Sequence, residues 1–199
     1  MTTDAERWNS RYSQAAPPQE ISPHELIIDA VSGQDFPPLP RAADIACGWG
    51  DAGLWCAQRG FETTCFDVST TALEAVTRRA EDGGISIATA EHDTTVDGVP
   101  VGPWDLLCCV HYLDRAMLQS LSSQLRPGGI AAVAIATTAN LERHDRPSAR
   151  FLLEPDELSS LVAPEGSGME ILRSDEAWRD NGVHEAWLVS RKQTGTVRD

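Results

Sequence analysis

Three groups of residues combine types and spacings that do chemistry. The first is Asp44-Ile45-Ala46-Cys47-Gly48-Trp49-Gly50-Asp51, in which Gly48, Gly50 and the following Gly53 fall at G-x-G-x-x-G spacing. It lies where an apolar strand passes into a helix. Glycines there permit a tight turn and close backbone approach to a ligand, and the helix N-terminus adds oriented N–H groups. The second is Asp67 in Phe66-Asp67-Val68-Ser69, at the end of the next apolar run. A carboxylate at that place accepts hydrogen bonds from both ribose hydroxyls and repels a 2′-phosphate, which disfavours NADP. The third is His111-Tyr112-Leu113-Asp114-Arg115, after the fourth apolar run. His111 is a candidate general base or acceptor-orienting group, with a satisfied structural histidine as the alternative. Tyr112 and Arg115 are candidates to face the acceptor, although Arg115 can equally pair with Asp114 or a surface glutamate.

The glycine spacing alone does not separate NAD from S-adenosylmethionine (SAM). Asp44 helps to decide: it sits inside the first strand, where a dehydrogenase usually places an apolar residue. In a SAM site an acid there organises the loop that receives the methionine moiety. A dinucleotide also brings a pyrophosphate, whereas SAM brings a sulfonium cation, and Asp44, Asp51 and Asp67 together suit the cation. SAM is therefore the expected cofactor. Asp93, after the third strand, either contacts the adenine region or only makes a turn. Cys47 and Cys65 are expected to be inert buried thiols. Cys108 and Cys109 point to opposite faces of a strand, so no metal site is expected from them. Arg143, His144 and Arg146 form either a solvated loop or an anion-binding lip.

Alternating apolar runs and helix-like segments position these groups, a pattern that reads as a parallel sheet wrapped by helices. Helices are expected over Met1–Ser13, from Ser22 (N-cap, with Pro23 first in the helix) to about Gly33, over Asp51–Arg59, from Ser69 to Asp82, over Asp114–Leu125 and near Pro155–Val162. Strands are expected over Arg41–Cys47, Phe61–Phe66, Ile85–Ala90, Leu106–Val110 and Ile130–Thr137. Two more, near Met169–Arg173 and His184–Ser190, are expected to pair antiparallel across a long connection. The 199 residues fit one domain: 1–40 as N-terminal helices and lid, 41–192 as a Rossmann-like core, 193–199 as a flexible tail.

Bulk properties narrow the partners. A net charge of −14 without a basic patch argues against nucleic acid. The longest apolar run, Ile130–Ala136, is far too short to cross a membrane, and the N-terminus has no signal-peptide pattern. Five cysteines without a CxxC pair suit a reducing cytoplasm.

With these residues in place, the sequence resembles the class I SAM-dependent methyltransferases, and more narrowly the small bacterial tellurite-resistance (TehB-type) and related methyltransferases. The resemblance runs from about Trp8 to Lys192. It rests on Trp8-Asn9-Ser10-Arg11-Tyr12, the glycine loop, Asp67-Val68-Ser69, Asp105, His111-Tyr112-Leu113-Asp114-Arg115, Leu125-Arg126-Pro127-Gly128-Gly129, the stretch from Arg150 to Leu158 and His184-Glu185-Ala186-Trp187-Leu188-Val189. It implies an α/β three-layer sandwich whose seven-stranded, mostly parallel sheet has an antiparallel last strand. It further implies that Asp67 holds the ribose, Asp93 and Thr94 flank adenine, and the Asp44 loop (Ala46, Cys47, Gly48, Gly50) receives the methionine part. Val68 binds the cofactor beside Asp67, Val110 and His111 line the path to the methyl group, and Trp8, Arg11 and Tyr12 lie over the cofactor. The implied activity is methyl transfer to a small-molecule acceptor, with oligomeric state left open. The alternatives are a SAM-binding protein without turnover and an NAD-linked oxidoreductase. Two departures stand out: Ala46 where many relatives have glycine, and Asp51 where TehB-type proteins commonly have arginine.

Overall fold

The computed structural model describes residues 3–194, so residues 195–199 of the expected tail lie outside the described residues. The described strands are β1 (Arg41–Ile45), β2 (Glu62–Asp67), β3 (Ala88–Glu91), β4 (Trp104–Val110), β5 (Leu125–Ala136), β6 (Met169–Trp178) and β7 (His184–Lys192). They form one sheet in the order β3-β2-β1-β4-β5-β7-β6. β1 to β5 pair in parallel, and β7 runs antiparallel to both β5 and β6. The sequence change of direction falls at β1 and β4, the switch point where open α/β sheets bind ligands.

The central strands alternate their side chains between two cores. Leu107, Cys109, Val133 and Leu188 meet Met117, Leu118 and Leu161 on one face. Leu106, Cys108, Ala132 and Val189 meet Leu26, Ile27, Ala52 and Trp55 on the other. The first face is covered by α6 (Arg115–Ser120) and α7 (Glu157–Val162), the second by α2 (Glu25–Val31) and α3 (Asp51–Gln58). Cys108 and Cys109 thus fall on opposite faces, as the period of two requires. The cysteines are all free, and no helix among the described residues is long and apolar enough to cross a membrane.

Several boundaries differ from expectation for local reasons. The second helix starts at Glu25, not after Ser22: His24 caps it, its Nδ1 accepting the Leu26 N–H at 3.2 Å. The Ser22 N–H is instead held by Asp51 Oδ1 at 3.3 Å. β6 continues to Trp178, so the expected long connection shrinks to a turn closed by Arg179 N–H on Val183 O at 2.8 Å. Its polar second half, Ser174-Asp175-Glu176, is tolerated because β6 is an edge strand. The helix after Asp114 ends at Ser120 and tightens into a 3₁₀ turn over Leu121–Gln124. A four-residue helix, α5 (Thr94–Asp97), stands where no helix is expected.

Candidate active site

The turn from β1 into α3 carries three left-handed residues, Ala46 (φ 52°), Gly48 (φ 53°) and Gly50 (φ 75°). Beneath it, buried Asp44 accepts the Gly53 N–H at 2.9 Å. Asp44 therefore braces the loop from within. Burial pushes its carboxyl up to about 7; the Gly53 N–H opposes the shift, and Asp67 and Asp51 add to it. The unfolded carboxyl ionises near 3.8, so between there and about 7 the folded chain holds a proton that the unfolded chain has lost. This contribution to stability is full below the lower value and is lost as pH rises through the upper one. Asp44→Asn, which keeps an acceptor for Gly53, is expected to gain on wild type by more than about 1 kcal/mol between pH 4 and pH 8. Urea unfolding of both proteins at the two pH values checks this; parallel profiles contradict it.

Asp67, at the tip of β2, is 6% exposed and accepts the Gly48 N–H at 2.9 Å and the Ser69 N–H at 2.8 Å, with the Val68 N–H also turned to it. Burial raises its pKa and these N–H groups pull it back. A carboxylate offers about four acceptor positions, so capacity for a ribose hydroxyl remains. Ser69 caps α4 (Thr70–Gly83), and Asn9 of α1 (Asp4–Ser13) accepts from Ser69 Oγ at 2.7 Å and the Thr71 N–H at 3.1 Å.

Those bonds lay α1 over the glycine loop. The Tyr12 hydroxyl lies 2.6 Å from where a Cβ on Gly48 would stand, so a side chain there would displace the helix. Tyr12 packs edge-on against Trp49 at 4.6 Å and stacks on Trp8 at 5.9 Å; burial, then Asp67, raise its phenol above the ordinary value. Arg11 lies over Trp8 at 5.2 Å, and Arg7 bridges Trp8 and Phe151.

Other expected site residues have local duties. Gly50 caps α3 and faces Val76, to which a Cβ would come within 2.6 Å. Asp51 pairs with the buried Arg79 at 2.8 Å, so its charge is already neutralised and does not join Asp44 and Asp67 toward a cation. The half-buried Cys47 donates its N–H to Phe66 O, and the Cys65 thiol and burial push its own thiol well up, which leaves it unreactive. Asp93 caps α5, accepting from Thr95 N and Oγ1 at 3.0 and 2.6 Å.

At the end of β4, Val110 is half-buried, and His111 takes a left-handed backbone (φ 59°) with its N–H on Ala134 O at 2.7 Å. Because β4 lies beside β1 with Cys109 level with Ile45, Val110 and His111 leave the sheet alongside Ala46 and Cys47. Thr94 Oγ1 meets the Tyr112 hydroxyl at 2.6 Å, and burial pushes that phenol up to about 12. Arg115 makes a fork to Glu157 at 2.5 and 2.8 Å and also bonds Leu152 O. It ties α6 to α7, which is the surface-glutamate alternative, and its fork is not free for an acceptor. Arg143, His144 and Arg146 line an open cleft with Asn140, the Arg143 guanidinium lying 3.7 Å from the Trp178 ring centroid.

Four residues given no site role of their own from the sequence enter the site: Asn9, Trp49, His24 and Glu185. His111 Nε2 lies 2.6 Å from Glu185 Oε1, and His24 Nε2 lies 3.1 Å from Glu185 Oε2. Trp187 Nε1 donates to the same Oε2 at 2.8 Å. Glu185 is fully buried; burial would raise its carboxyl, but His111, His24 and Trp187 together hold it well below the usual range.

Residues 42–129, from β1 into β5, match the family model described as a methyltransferase domain. No curated protein matches the sequence. Among solved structures, TehB from Haemophilus influenzae is 17% identical, with 94% of this chain and 67% of that one covered and a TM-score of 0.69. Magnesium protoporphyrin IX methyltransferase from Synechocystis, with bound S-adenosylhomocysteine (SAH), is 14% identical over 97% and 89%, at a TM-score of 0.68. A structure concerned with conversion of a disulfide bond into a thioacetal group in echinomycin biosynthesis is 18% identical over 98% and 94%, at 0.73. Identities at this level speak for the fold. The methyltransferase-domain match over residues 42–129 and the fold shared along nearly the whole length give this chain the Rossmann-like architecture found in class I SAM-dependent methyltransferases.

Proposed function

We propose that the chain binds SAM between the glycine loop and α1 and catalyses methyl transfer to a small-molecule acceptor at the end of β4. The observation that carries this is the braced loop at the switch point: Asp44 holds Gly53, and Asp67 holds Gly48 while keeping acceptor capacity. The Asp67 acceptor fits an adenosine ribose and repels a phosphate, and a side chain at Gly48 would clash with the Tyr12 hydroxyl. Asp67 and Val68 would hold the ribose, Asp93 and Thr94 the adenine side, and Ala46 to Gly48 the methionine part. Bound SAM supplies the methyl group and leaves as SAH.

The chain's own contribution is alignment and exclusion of water, which is most of what an in-line displacement needs. α1 supplies the cover through Trp8, Arg11 and Tyr12, with residues 1–40 and 41–192 working as one unit. A net charge of −14 favours a small molecule over a nucleic acid, and five free cysteines suit the cytoplasm. Incubation with methyl-labelled SAM and a panel of hydroxyl, amine and thiol compounds is expected to give acceptor-dependent SAH release. SAM binding without turnover across the whole panel would overturn the enzyme reading in favour of a SAM-binding protein.

A further inference from the structure

A fully buried carboxylate with three donors aimed at it is an unusual thing to find beneath a methyl-transfer site. Glu185 receives His111 on Oε1, and His24 and Trp187 on Oε2. The proton positions follow from the partners. His24 Nδ1 accepts the Leu26 N–H, so the neutral ring carries its proton on Nε2 and donates it to Glu185. The ionised Glu185 is acceptor-only, so the neutral His111 ring likewise carries its proton on Nε2. That leaves the lone pair on His111 Nδ1, which has no partner among the described residues, on a side chain 55% exposed beside the glycine loop.

We propose that Glu185 is a positioning residue that presents His111 as a general base, and that the acceptor therefore carries a proton on oxygen or nitrogen at neutral pH. The inference rests on the methyl-transfer reading above. His111 Nδ1 takes the acceptor's proton; the electron pair left on the acceptor forms the bond to the methyl carbon, and the pair of the broken carbon–sulfur bond stays on SAH. The imidazolium so formed faces Glu185 and later gives its proton to water. A thiolate or other soft anion arrives without a proton and needs none of this apparatus. The same atoms, all within 4.8 Å of one another, also resemble a metal cage. A metal needs the Nε2 lone pair of His24, and the Leu26 N–H on Nδ1 denies it.

Glu185→Gln tests the proposal, because one amide oxygen cannot serve three donors. It is expected to keep the pair from His24 and Trp187 and to turn its NH₂ toward His111, which must then move its proton to Nδ1. Nitrogen-15 NMR of labelled histidines, at a pH where the rings are neutral, should show His111 protonated on Nε2 in wild type and on Nδ1 in the variant. SAM affinity should stay within about 3-fold, while kcat for a hydroxyl or amine acceptor falls about 100-fold or more with KM little changed. A wild-type His111 protonated on Nδ1, a variant with unaltered protonation or turnover, or tight zinc binding lost in Glu185→Gln would each overturn it. Should the variant fail to fold, the wild-type spectrum decides alone. Failure of wild type to bind SAM would instead sink the cofactor reading and leave the protonation result standing.

Discussion

Asp67→Ala is expected to bind SAM at least about 100-fold more weakly than wild type. Hydrogen bonds to a charged acceptor contribute about 1.5–3 kcal/mol each, and a ribose hydroxyl on the remaining Asp67 position together with the disturbed loop accounts for about 3 kcal/mol or more. The substitution also releases the Gly48 and Ser69 N–H groups, which Asp67 now holds at 2.9 and 2.8 Å, so the loop loses its brace together with its ligand contact. Calorimetric titration of a variant whose circular dichroism matches wild type reads the loss. Affinity within about 3-fold of wild type would remove Asp67 from the cofactor site.

Gly53→Ala is expected to cost about 1–3 kcal/mol of stability, although alanine ordinarily favours a helix interior. The reason is crowding: a Cβ at this position would stand 2.3 Å from Cys65 Sγ and 3.2 Å from Asp44 Oδ2. Cys65 is fully buried, so its sulfur has nowhere to go. Removing that sulfur with Cys65→Ala should recover part of the loss, and a double-mutant cycle by urea unfolding measures the coupling. Strictly additive effects would show that the clash is relieved some other way.

These two residues illustrate what a sequence can carry. The turn at Gly48–Gly53 and the place of Asp67 at the tip of β2 were legible because each is a local event, a strand running into a turn and then a helix start. The capping of α4 by Ser69 was legible for the same reason, whereas the antiparallel last strand followed from the family resemblance. Glu185 was not. It is an acid just ahead of the apolar run of β7, and its partners His24 and His111 lie 161 and 74 positions away. The pairing of β5 with both β4 and β7, and the packing of α2 against them, brings the three together. Asp51 misled in the opposite sense. Its place in the glycine loop suggested a role toward a cation, but Arg79, three turns along α4, takes its charge. The polar half of β6 escaped because an edge strand need not alternate.

Calorimetric titration of the purified chain with SAM, SAH and NAD asks whether the braced glycine loop holds SAM. SAM and SAH should bind saturably and NAD should not bind. Binding of NAD alone would contradict this and turn the search toward hydride-transfer substrates.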